Sequence, residues 1–469
     1  MTNADGGAAR AAKHPPGLAY LAFTEVWERF SFYGMQALLV LYMVDHALQP
    51  GRAQGVLGLE GLRSGLEAVF GPLSTQAFAS QIFGLYTGFV YFTPVFGGML
   101  GDRVLGQRRT VVLGALLLAL GHTLMAFEAA FLVALVVLIV GCGCLKGNIS
   151  AQVGQLYPQG DPRRSHAFTL FNLAINVGGF AAPLVCGTLG ETLGWAWGFG
   201  AAAVGMLIGL AVYLAGGRHM PPDTIRSRRS NPARAKLQPG DGRLVAALIV
   251  MLILGIFYSV AYGQQFNVFS LWAREALNRT LLGWTMPVTW FQALDGAFIV
   301  GLTPVALRIW QAQARRGREP SDMHKMAIGA ALGALGMGCL VAASLIAATG
   351  AQASMLWAVA CFGLFALGFI YQWPTTLALA SSAAPAPINA TMMGVAFLFG
   401  GFVANYLAGW LGGYYQAMSP ARFWALHGAI SLVGAIATWL CAKPLNRVLL
   451  GMRNEGGGDK AVLALTDTA

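Results

Sequence analysis

The sequence predicts an all-α integral membrane protein whose chain crosses a membrane twelve times. Of its 469 residues, 56 % are hydrophobic and only 10 % are charged, whereas a soluble domain carries about 25 % charged residues. Apolar stretches of about 20 residues, long enough to cross roughly 30 Å of hydrocarbon, recur from Pro16 to the neighbourhood of Leu450. A basic segment rich in Arg and Pro separates six of these stretches from the other six, so we expect two six-helix bundles.

The predicted spans are approximate in their ends. Their ranges are 17–47, 76–101, 109–127, 130–157, 166–190, 196–216, 243–273, 285–312, 325–350, 354–382, 390–415 and 422–449. The N-terminal bundle therefore covers 17–216 and the C-terminal bundle 243–450, with polar tails at 1–16 and 451–469. Residues 217–242 contain RHMPPDTIRSRRSNPARAKLQPGDG, which has no apolar period, and we expect a cytoplasmic linker there.

The positive charges indicate how the chain lies in the membrane. The net charge is +11, with 30 Lys and Arg. If the N-terminus is cytoplasmic, 23 of these 30 fall in the even-numbered connections and the tails, as the positive-inside rule requires. The other side holds Arg52, Arg63, Arg274, Arg279 and Arg422. We therefore predict that both termini are cytoplasmic, and that the lipid bilayer rather than nucleic acid accounts for the basic charge.

Several functional classes find no support in the sequence. There is no phosphate-binding Gly loop followed by Lys-Ser/Thr, no His cluster with metal-ligand spacing and no Ser nucleophile elbow. We predict no enzyme, no catalytic residue, no metal and no cofactor; a proton gradient is the expected energy source. The cysteines all fall in apolar stretches, where we expect small core side chains; they are Cys142, Cys144, Cys186, Cys339, Cys361 and Cys441.

Charged residues inside the predicted spans are few. A charge in the bilayer interior costs roughly 3 kcal/mol or more, so each one requires a partner or a function. Glu25, Glu28 and Arg29 of span one stand at i, i+3 and i+4, which places them on one face of a helix. Lys146 lies on span four and Asp295 on span eight. These five residues are the first candidates for function.

Lys146 is predicted to balance the excess negative charge of span one. At about 1.5 Å per residue, Glu25 and Arg29 lie roughly 12 to 18 Å from the cytoplasmic end and Lys146 about 16 Å from the same end. A carboxylate between a cation and an apolar wall can hold or release a proton as the cation moves. A solute carboxylate that engages Arg29 or Lys146 would then free a glutamate to take a proton. The alternative is a static ion network that only joins spans one and four.

A loop motif points to a fold family. The segment GMLGDRVLGQRR, Gly98–Arg109, joins spans two and three. Together with two six-helix halves and a basic linker, it resembles the major facilitator superfamily, in which the solute site lies between the halves near mid-membrane. By this resemblance a glycine allows close helix approach, an acid caps or bridges helix ends and the arginines hold the cytoplasmic side. The residues concerned are Gly98, Asp102, Arg103, Gly106, Arg108 and Arg109.

Three further motifs are similar to one branch of that superfamily. EVWERFSFYG, Glu25–Gly34, resembles the E-x-x-E-R-F-x-Y-Y-G signature of proton-coupled oligopeptide transporters. GCGCLKGNISAQVGQLY, Gly141–Tyr157, is similar to the fourth span of that family, with Lys146 at its lysine. FNLAINVGG, Phe171–Gly179, resembles F-Y-x-x-I-N-x-G, with Asn172 where the tyrosine belongs. The three occur in the family's order on the expected helices.

The resemblance implies roles for individual residues. Glu25, Glu28, Arg29 and Lys146 would take part in proton coupling, and Arg29 and Lys146 would also attract the C-terminal carboxylate of a peptide. A further set would hydrogen-bond the backbone of the bound peptide, namely Tyr33, Tyr91 and Asn176. Phe32 stands where the family has the first of its paired tyrosines, so one phenolic donor is lost.

The C-terminal half departs from the family pattern. YGQQFNVFSLWA, Tyr262–Ala273, resembles the family's Y-E-Q-x-G-S-x-x-x-L-F-A. Gln264 stands at the family's glutamine, and by this resemblance it would bind the substrate. Gly263 stands where a glutamate would work with the proton, Phe369 where a glutamate would bind the peptide's amino group, and Ala396 where a tryptophan would line the pocket. These substitutions favour a modified, larger or less amine-dependent peptide.

Asp295 is the residue that would compensate for part of the loss of these glutamates. In FQALDGAF, Phe291–Phe298, which is similar to F-Q-x-L-N-P, it takes the asparagine's place, about 15 Å in from the outer face. Its carboxylate could hold the amine of the solute; the alternative is a bond to Gln264 or to a helix terminus. Weaker candidates are His122 as a proton relay and Trp290 and Trp373 as pocket walls.

Taken together, the residues and the resemblance predict a secondary transporter of a bacterial inner membrane. It would act as a monomer and import di- or tripeptides, or peptide-like compounds, together with protons by alternating access. A transporter of a small anion such as nitrate, or of a modified peptide without conventional amine recognition, is the alternative within the same class. A membrane sensor that moves nothing is the alternative from another class.

Overall fold

The computed structural model describes residues 13–158, 161, 163–223, 225, 237–238 and 240–455, without the side chains of 390 and 450–455. Almost all of this part of the chain is helical. Most of the predicted tails 1–16 and 451–469 and the centre of the predicted linker 217–242 lie outside the described residues, and the domain boundaries stay a prediction.

In the part of the chain that the structure describes, nine α-helices precede the linker. They are α1 (Pro16–Tyr42), α2 (Leu59–Phe70), α3 (Thr75–Phe92), α4 (Pro94–Leu100), α5 (Gln107–Leu124), α6 (Phe131–Gln155), α7 (Arg163–Ala182), α8 (Thr188–Thr192) and α9 (Trp195–Ala215). Short π-helical turns continue several of them, at Met43–Ala47, Gly101–Leu105 and Pro183–Gly187. One predicted span can thus comprise two helices.

Eight α-helices follow the linker. They are α10 (Asp241–Gly263), α11 (Phe269–Ala276), α12 (Trp290–Arg315), α13 (Asp322–Ala347), α14 (Leu356–Ala383), α15 (Asn389–Phe397), α16 (Ala404–Gly412) and α17 (Pro420–Glu455). A π-helical segment, Leu398–Val403, joins α15 to α16. Four two-residue strands lie in the connections; they are β1 (Leu277–Asn278), β2 (Thr280–Leu281), β3 (Trp284–Thr285) and β4 (Ala353–Ser354). β1 pairs in parallel with β4, and β2 pairs antiparallel with β3.

Ten helices of the described chain are long and apolar enough to cross a membrane. The other two predicted spans are helices as well, α1 with 27 residues and α5 with 18. They are more polar than the ten, because α1 carries Glu25, Glu28 and Arg29 and α5 begins with Gln-Arg-Arg. The count of twelve spans is therefore confirmed for ten and stays a prediction for these two.

Two local predictions about the helices were wrong. The predicted span 243–273 is not continuous, because turns at 264–268 separate α10 from α11. Between the first two spans stands α2, which was not predicted; Leu62 and Leu66 on one of its faces pack against the core. A search for long apolar runs passes over such a helix, since it is only 12 residues long and carries Glu60 and Arg63.

The two halves of the molecule touch closely where two glycines meet. A Cβ atom on Gly84 of α3 would lie 2.8 Å from the Cα atom of Gly409 of α16 and 2.8 Å from the backbone oxygen of Asn405. Such distances leave no room for a side chain on either glycine. The backbones of α3 and α16 therefore pack directly against each other.

Polar contacts between the halves concentrate at the end of the molecule that we predict to be outer. The Asp45 carboxylate pairs with the Arg274 guanidinium at 2.5 Å. The Glu191 carboxylate accepts hydrogen bonds from the N–H groups of Val288 and Thr289, each at 3.0 Å, and from the Thr289 hydroxyl at 2.7 Å. Glu191 of one half thus caps the N-terminus of α12 in the other half, where a negative charge is favourable.

Replacing Glu191 by alanine is expected to weaken the closed outer end, because the first turn of α12 loses its acceptor. Gln36 lines the cavity between the two halves. In a variant that lacks the native cysteines, a cysteine introduced at this position should then react several-fold faster with a thiol reagent that cannot cross the membrane. Glu128→Ala is the control, since Glu128 pairs with Arg52 and His46 of its own half. Equal labelling rates in the two variants would contradict the predicted role of Glu191.

Candidate solute site

A cavity of about 560 Å³ lies between the two halves. The first half contributes Arg29, Tyr33, Gln36, Tyr91, Lys146, Asn172 and Asn176 to its lining. The second half contributes Tyr262, Gly263, Phe266, Gln292, Asp295, Trp310, Phe369, Gln372, Trp373, Phe397 and Asn405. Along α12 the lining runs from Gln292 to Trp310, about 27 Å at 1.5 Å per residue. The cavity therefore extends from the first turn of α12 over most of this helix, towards the end opposite the Asp45–Arg274 pair.

Six of the seven residues predicted to bind substrate line this cavity. They are Arg29, Tyr33, Tyr91, Lys146, Asn176 and Asp295. Gln264 does not line it, which corrects its placement. Its amide nitrogen donates to the Ala408 carbonyl at 2.8 Å and its amide oxygen accepts from Asn267 at 3.2 Å. Gln264 is fully buried, and in this structure it holds the break between α10 and α11.

The charged cluster of α1 is buried. The Arg29 guanidinium donates two hydrogen bonds to the Glu28 carboxylate, one from Nε to Oε2 and one from Nη2 to Oε1 at 2.6 Å, and its Nε lies 3.4 Å from Glu25 Oε1. At most 3 % of any of the three residues is exposed. Only Arg29 lines the cavity. One guanidinium between two carboxylates leaves an excess of negative charge, so the cluster is suited to accept a proton.

Lys146 does not pair directly with that cluster. Its Nζ lies 4.0 Å from the ring centroid of Tyr91, and no carboxylate oxygen of the described residues lies within 4.0 Å of it. In this structure Lys146 therefore makes no ion pair with span one, and its role in balancing the charge of that span stays a prediction. The Arg29 guanidinium already engages Glu28, and the Lys146 ammonium group lies against the face of the Tyr91 ring instead. A cation that lines the cavity without an ion-pair partner is available to a solute anion.

Asp295 is the one acidic residue in the described lining. Its Oδ2 accepts a hydrogen bond from the Tyr262 hydroxyl at 2.7 Å, while Oδ1 is buried without a partner among the described residues. The alternative prediction of a bond to Gln264 is wrong, since Tyr262 is the partner. Tyr262 in turn stacks on Phe369, with ring centroids 5.6 Å apart. The aromatic pair thus fixes the donor that orients Asp295.

The weaker aromatic and histidine candidates separate clearly. Trp373 lines the cavity and packs edge-on against Phe397. Trp290 does not line it; its indole nitrogen donates to the Thr188 hydroxyl across the closed end. His122 is buried away from the cavity, and neither ring nitrogen has a hydrogen-bond partner among the described residues.

Three buried glutamines of the lining were missed. Gln36, Gln292 and Gln372 are each at least 94 % buried. The amide oxygen of each has no partner among the described residues. The sequence carries a signal for them, because an amide in an apolar span also requires a partner. They add hydrogen-bonding capacity to the cavity.

The loop motif is built differently from the prediction in one respect. Gly98 has open space where its side chain would be, so it does not allow the close approach. Gly97 and Gly101 allow it instead. A Cβ atom on Gly97 would clash with the backbone of Gly143 of α6, and one on Gly101 with the side chain of Asn148 of α6. A shift of one residue turns the position by about 100° around a helix, which explains the error.

The rest of the motif holds the start of the linker. Asp102 accepts a hydrogen bond from the Gln107 amide at 3.1 Å, and Arg103 is exposed. The backbone N–H of Arg108 donates to Asp223 at 2.8 Å, and Gly106 has a φ of +83°. A side chain on Gly106 would collide with the Asp223 carboxylate. Asp223 was not predicted, because its partner lies 115 positions earlier in the chain.

Two helical halves with a polar cavity between them define a membrane transporter of the major facilitator fold. The model of the POT family matches residues 108–238 and 223–424. The peptide transporter YePEPT of Yersinia enterocolitica is 30 % identical over 93 % of this chain and 95 % of its own length. A di-/tripeptide transporter of Lactococcus lactis subsp. cremoris is also 30 % identical, over 94 % of this chain and 97 % of its own.

A solved structure agrees with these relatives. The crystal structure of peptide transporter POT in complex with sulfate has a TM-score of 0.80 and 26 % sequence identity, and the match covers 93 % of this chain and 96 % of that one. The chain therefore belongs to the POT family, which is a family of multi-pass membrane transporters. The resemblance predicted from Glu25–Gly34 and the two later motifs is confirmed.

Proposed function

We propose that the chain is a secondary active transporter that carries di- or tripeptides, or peptide-like compounds, into the cytoplasm together with protons. The observation that carries this proposal is the distribution of charge in one cavity, with Arg29 and Lys146 on the wall of the first half and Asp295 on the wall of the second. A peptide with free ends has a carboxylate and an ammonium group that complement the two walls. Relatives that are 30 % identical are named peptide transporters, which supports the choice of solute.

The α1 cluster supports proton coupling. A solute carboxylate that accepts hydrogen bonds from the Nε/Nη2 edge of Arg29 displaces Glu28, since Glu28 occupies both N–H groups of that edge. The released glutamate is buried and then takes a proton rather than remain charged in an apolar site. Solute and proton would therefore load together. When the solute leaves, Arg29 returns to Glu28 and the proton is expelled.

The membrane context belongs to the same proposal. The predicted topology puts the basic loops and both termini in the cytoplasm of a bacterial cell, and the protein in its inner membrane. The polar contacts at the opposite end and the extension of the cavity along α12 are consistent with access from the cytoplasm in this structure. We infer that a single chain suffices for transport, because both walls of the cavity come from one chain.

Uptake by purified protein in proteoliposomes tests this function. Labelled dialanine should accumulate above its outside concentration when the inside is alkaline, and should only equilibrate when no pH gradient is imposed. Movement that ignores the gradient would indicate a uniporter, and no movement of any candidate solute would favour a sensor. If unlabelled nitrate competes as well as unlabelled dipeptide, the anion alternative replaces the peptide.

Asp295→Asn is expected to weaken recognition of the free amino group. The Km for dialanine should rise about tenfold, which corresponds to about 1.4 kcal/mol and is typical of a hydrogen bond to a charged group. The Km for N-acetylated dialanine should stay the same. Asp322→Asn is the matched control, because Asp322 begins α13 and does not line the cavity. If the original protein does not distinguish free from acetylated peptides, Asp295 does not bind the amine.

A further inference from the structure

A second cavity, of about 550 Å³, lies at the side of the first half and not between the halves. It is formed by the N-terminal part of α5, the C-terminal part of α9 and the first residues after α9. Its lining consists of Arg108, Arg109, Val112, Leu113, Leu116, Tyr213, Leu214, Gly217 and Asp223. None of these residues lines the solute cavity. It is therefore a separate site.

One wall of this cavity is apolar and lies on the outer surface of the first half. Leu113, Leu116 and Leu214 are 37 %, 50 % and 57 % exposed. All three lie on helices assigned to membrane spans, where an exposed leucine faces lipid. The apolar wall thus continues the lipid-facing surface of the protein. A hydrocarbon chain would fit there, while a soluble polar ligand would leave the leucines uncovered.

The mouth of the cavity is cationic. Arg108 is already engaged, since its Nη2 donates to the Gly217 carbonyl at 2.8 Å and its N–H to Asp223. Arg109 is exposed and makes no hydrogen bond or ion pair with any described residue. Two guanidinium groups against one carboxylate leave a net positive charge. The positive end of α5, a helix of 18 residues, adds to it.

The sequence that follows Asp223 is strongly basic. Residues 224–236 contain five basic side chains and no acidic one; they are Arg226, Arg228, Arg229, Arg234 and Lys236. Basic segments that follow a membrane helix on the cytoplasmic side attract anionic lipids. This observation depends on composition only and is independent of the cavity geometry.

We propose that this lateral cavity binds an anionic phospholipid. The phosphate accepts hydrogen bonds from the Arg109 guanidinium, which has no partner among the described residues, and the field of Arg108 and the α5 N-terminus stabilises its charge. One acyl chain covers Leu113, Leu116 and Leu214. The lipid would join α5, α9 and the start of the linker at the level of the headgroups. The proposal does not depend on which solute the central cavity carries.

The test uses the full chain in lipid nanodiscs. Replacing phosphatidylcholine by phosphatidylglycerol should raise the Tm of the protein, because a ligand that binds only the folded state stabilises it. Arg109→Gln should lose at least half of that rise and keep the Tm measured in phosphatidylcholine alone. Arg316→Gln removes an exposed cation from the loop after α12 that does not line this cavity, and should retain the full rise. Equal loss in the two variants would show general surface attraction and overturn the proposal.

Two further arms separate lipid from other ligands. Leu116→Trp fills the apolar wall without changing charge and should also reduce the Tm rise; an unchanged rise would contradict an acyl chain in the cavity. Millimolar inorganic phosphate, added to the protein in phosphatidylcholine, should leave the Tm unchanged. If phosphate alone reproduces the rise, the mouth is a simple anion site and the lipid proposal fails.

Discussion

Arg29→Met is expected to abolish gradient-driven uptake and to lower the free energy of unfolding by about 3–5 kcal/mol. Removing one partner of a buried ion pair leaves the other charge without compensation, and losses of this size are typical. Here two carboxylates, Glu25 and Glu28, would be left in a site that is at most 3 % exposed. Thermal unfolding in detergent measures the stability, and uptake of labelled dialanine into proteoliposomes measures the activity.

A triple variant separates the two effects. Changing Glu25 and Glu28 to glutamine together with Arg29→Met removes all three buried charges, so most of the lost stability should return. Uptake should stay at background, because the residue that engages the solute and the groups that take the proton are gone. A triple variant that accumulates dialanine would show that coupling lies elsewhere in the chain. A single Arg29→Met variant as stable as the original would contradict the buried cluster itself.

Lys146→Gln is expected to reduce accumulation of dialanine more than tenfold with little loss of stability. The lysine has no carboxylate within 4.0 Å among the described residues, so its removal leaves no charge unpaired. The contact of Nζ with the Tyr91 ring is worth about 0.5–2 kcal/mol, which sets the upper limit of the stability change. The uptake defect should be specific for solutes with a free carboxylate. C-terminally amidated dialanine should therefore inhibit the uptake of labelled dialanine equally well in the original protein and in the variant.

The chain offers a matched control for this experiment. Lys325 also lies over an aromatic ring, with its Nζ 4.7 Å from the Trp310 centroid, but it pairs with Glu319 at 2.6 Å and does not line the cavity. Lys325→Gln should leave uptake within about twofold of the original. If both lysine variants lose uptake equally, the effect is general and not a property of the solute site. If neither does, Lys146 has no part in transport.

Much of the site was predictable because the helices carry it in local patterns. The spacing of Glu25, Glu28 and Arg29 places the three on one face of α1, and the structure joins them through the Arg29 guanidinium. The motif around Lys146 places that residue at cavity depth on α6. In each case a few consecutive residues on one helix hold the information. The departures at Gly263 and Phe369 were equally readable, and the described lining contains neither glutamate.

What the sequence could not provide are contacts between distant segments. Tyr262 and Asp295 are separated by 33 positions, Lys146 and Tyr91 by a helical hairpin, and Glu191 caps a helix of the other half. Such partners depend on how helices rotate about their axes. The break at 264–268 was hidden for a related reason. Its residues are followed by an apolar stretch, and the chain leaves the helix because Gln264 finds acceptors and donors on α16 and on Asn267.

The close contact of Gly84 with Gly409 has a mechanical consequence. Two surfaces without side chains have no ridges to interlock, so one can turn against the other with little change in the area they bury. The contact joins α3 to α16 and hence one half to the other. We therefore expect it to act as a pivot if the two halves move: the gap at one end would narrow while the other end opens, and the backbone around these two glycines would stay in place.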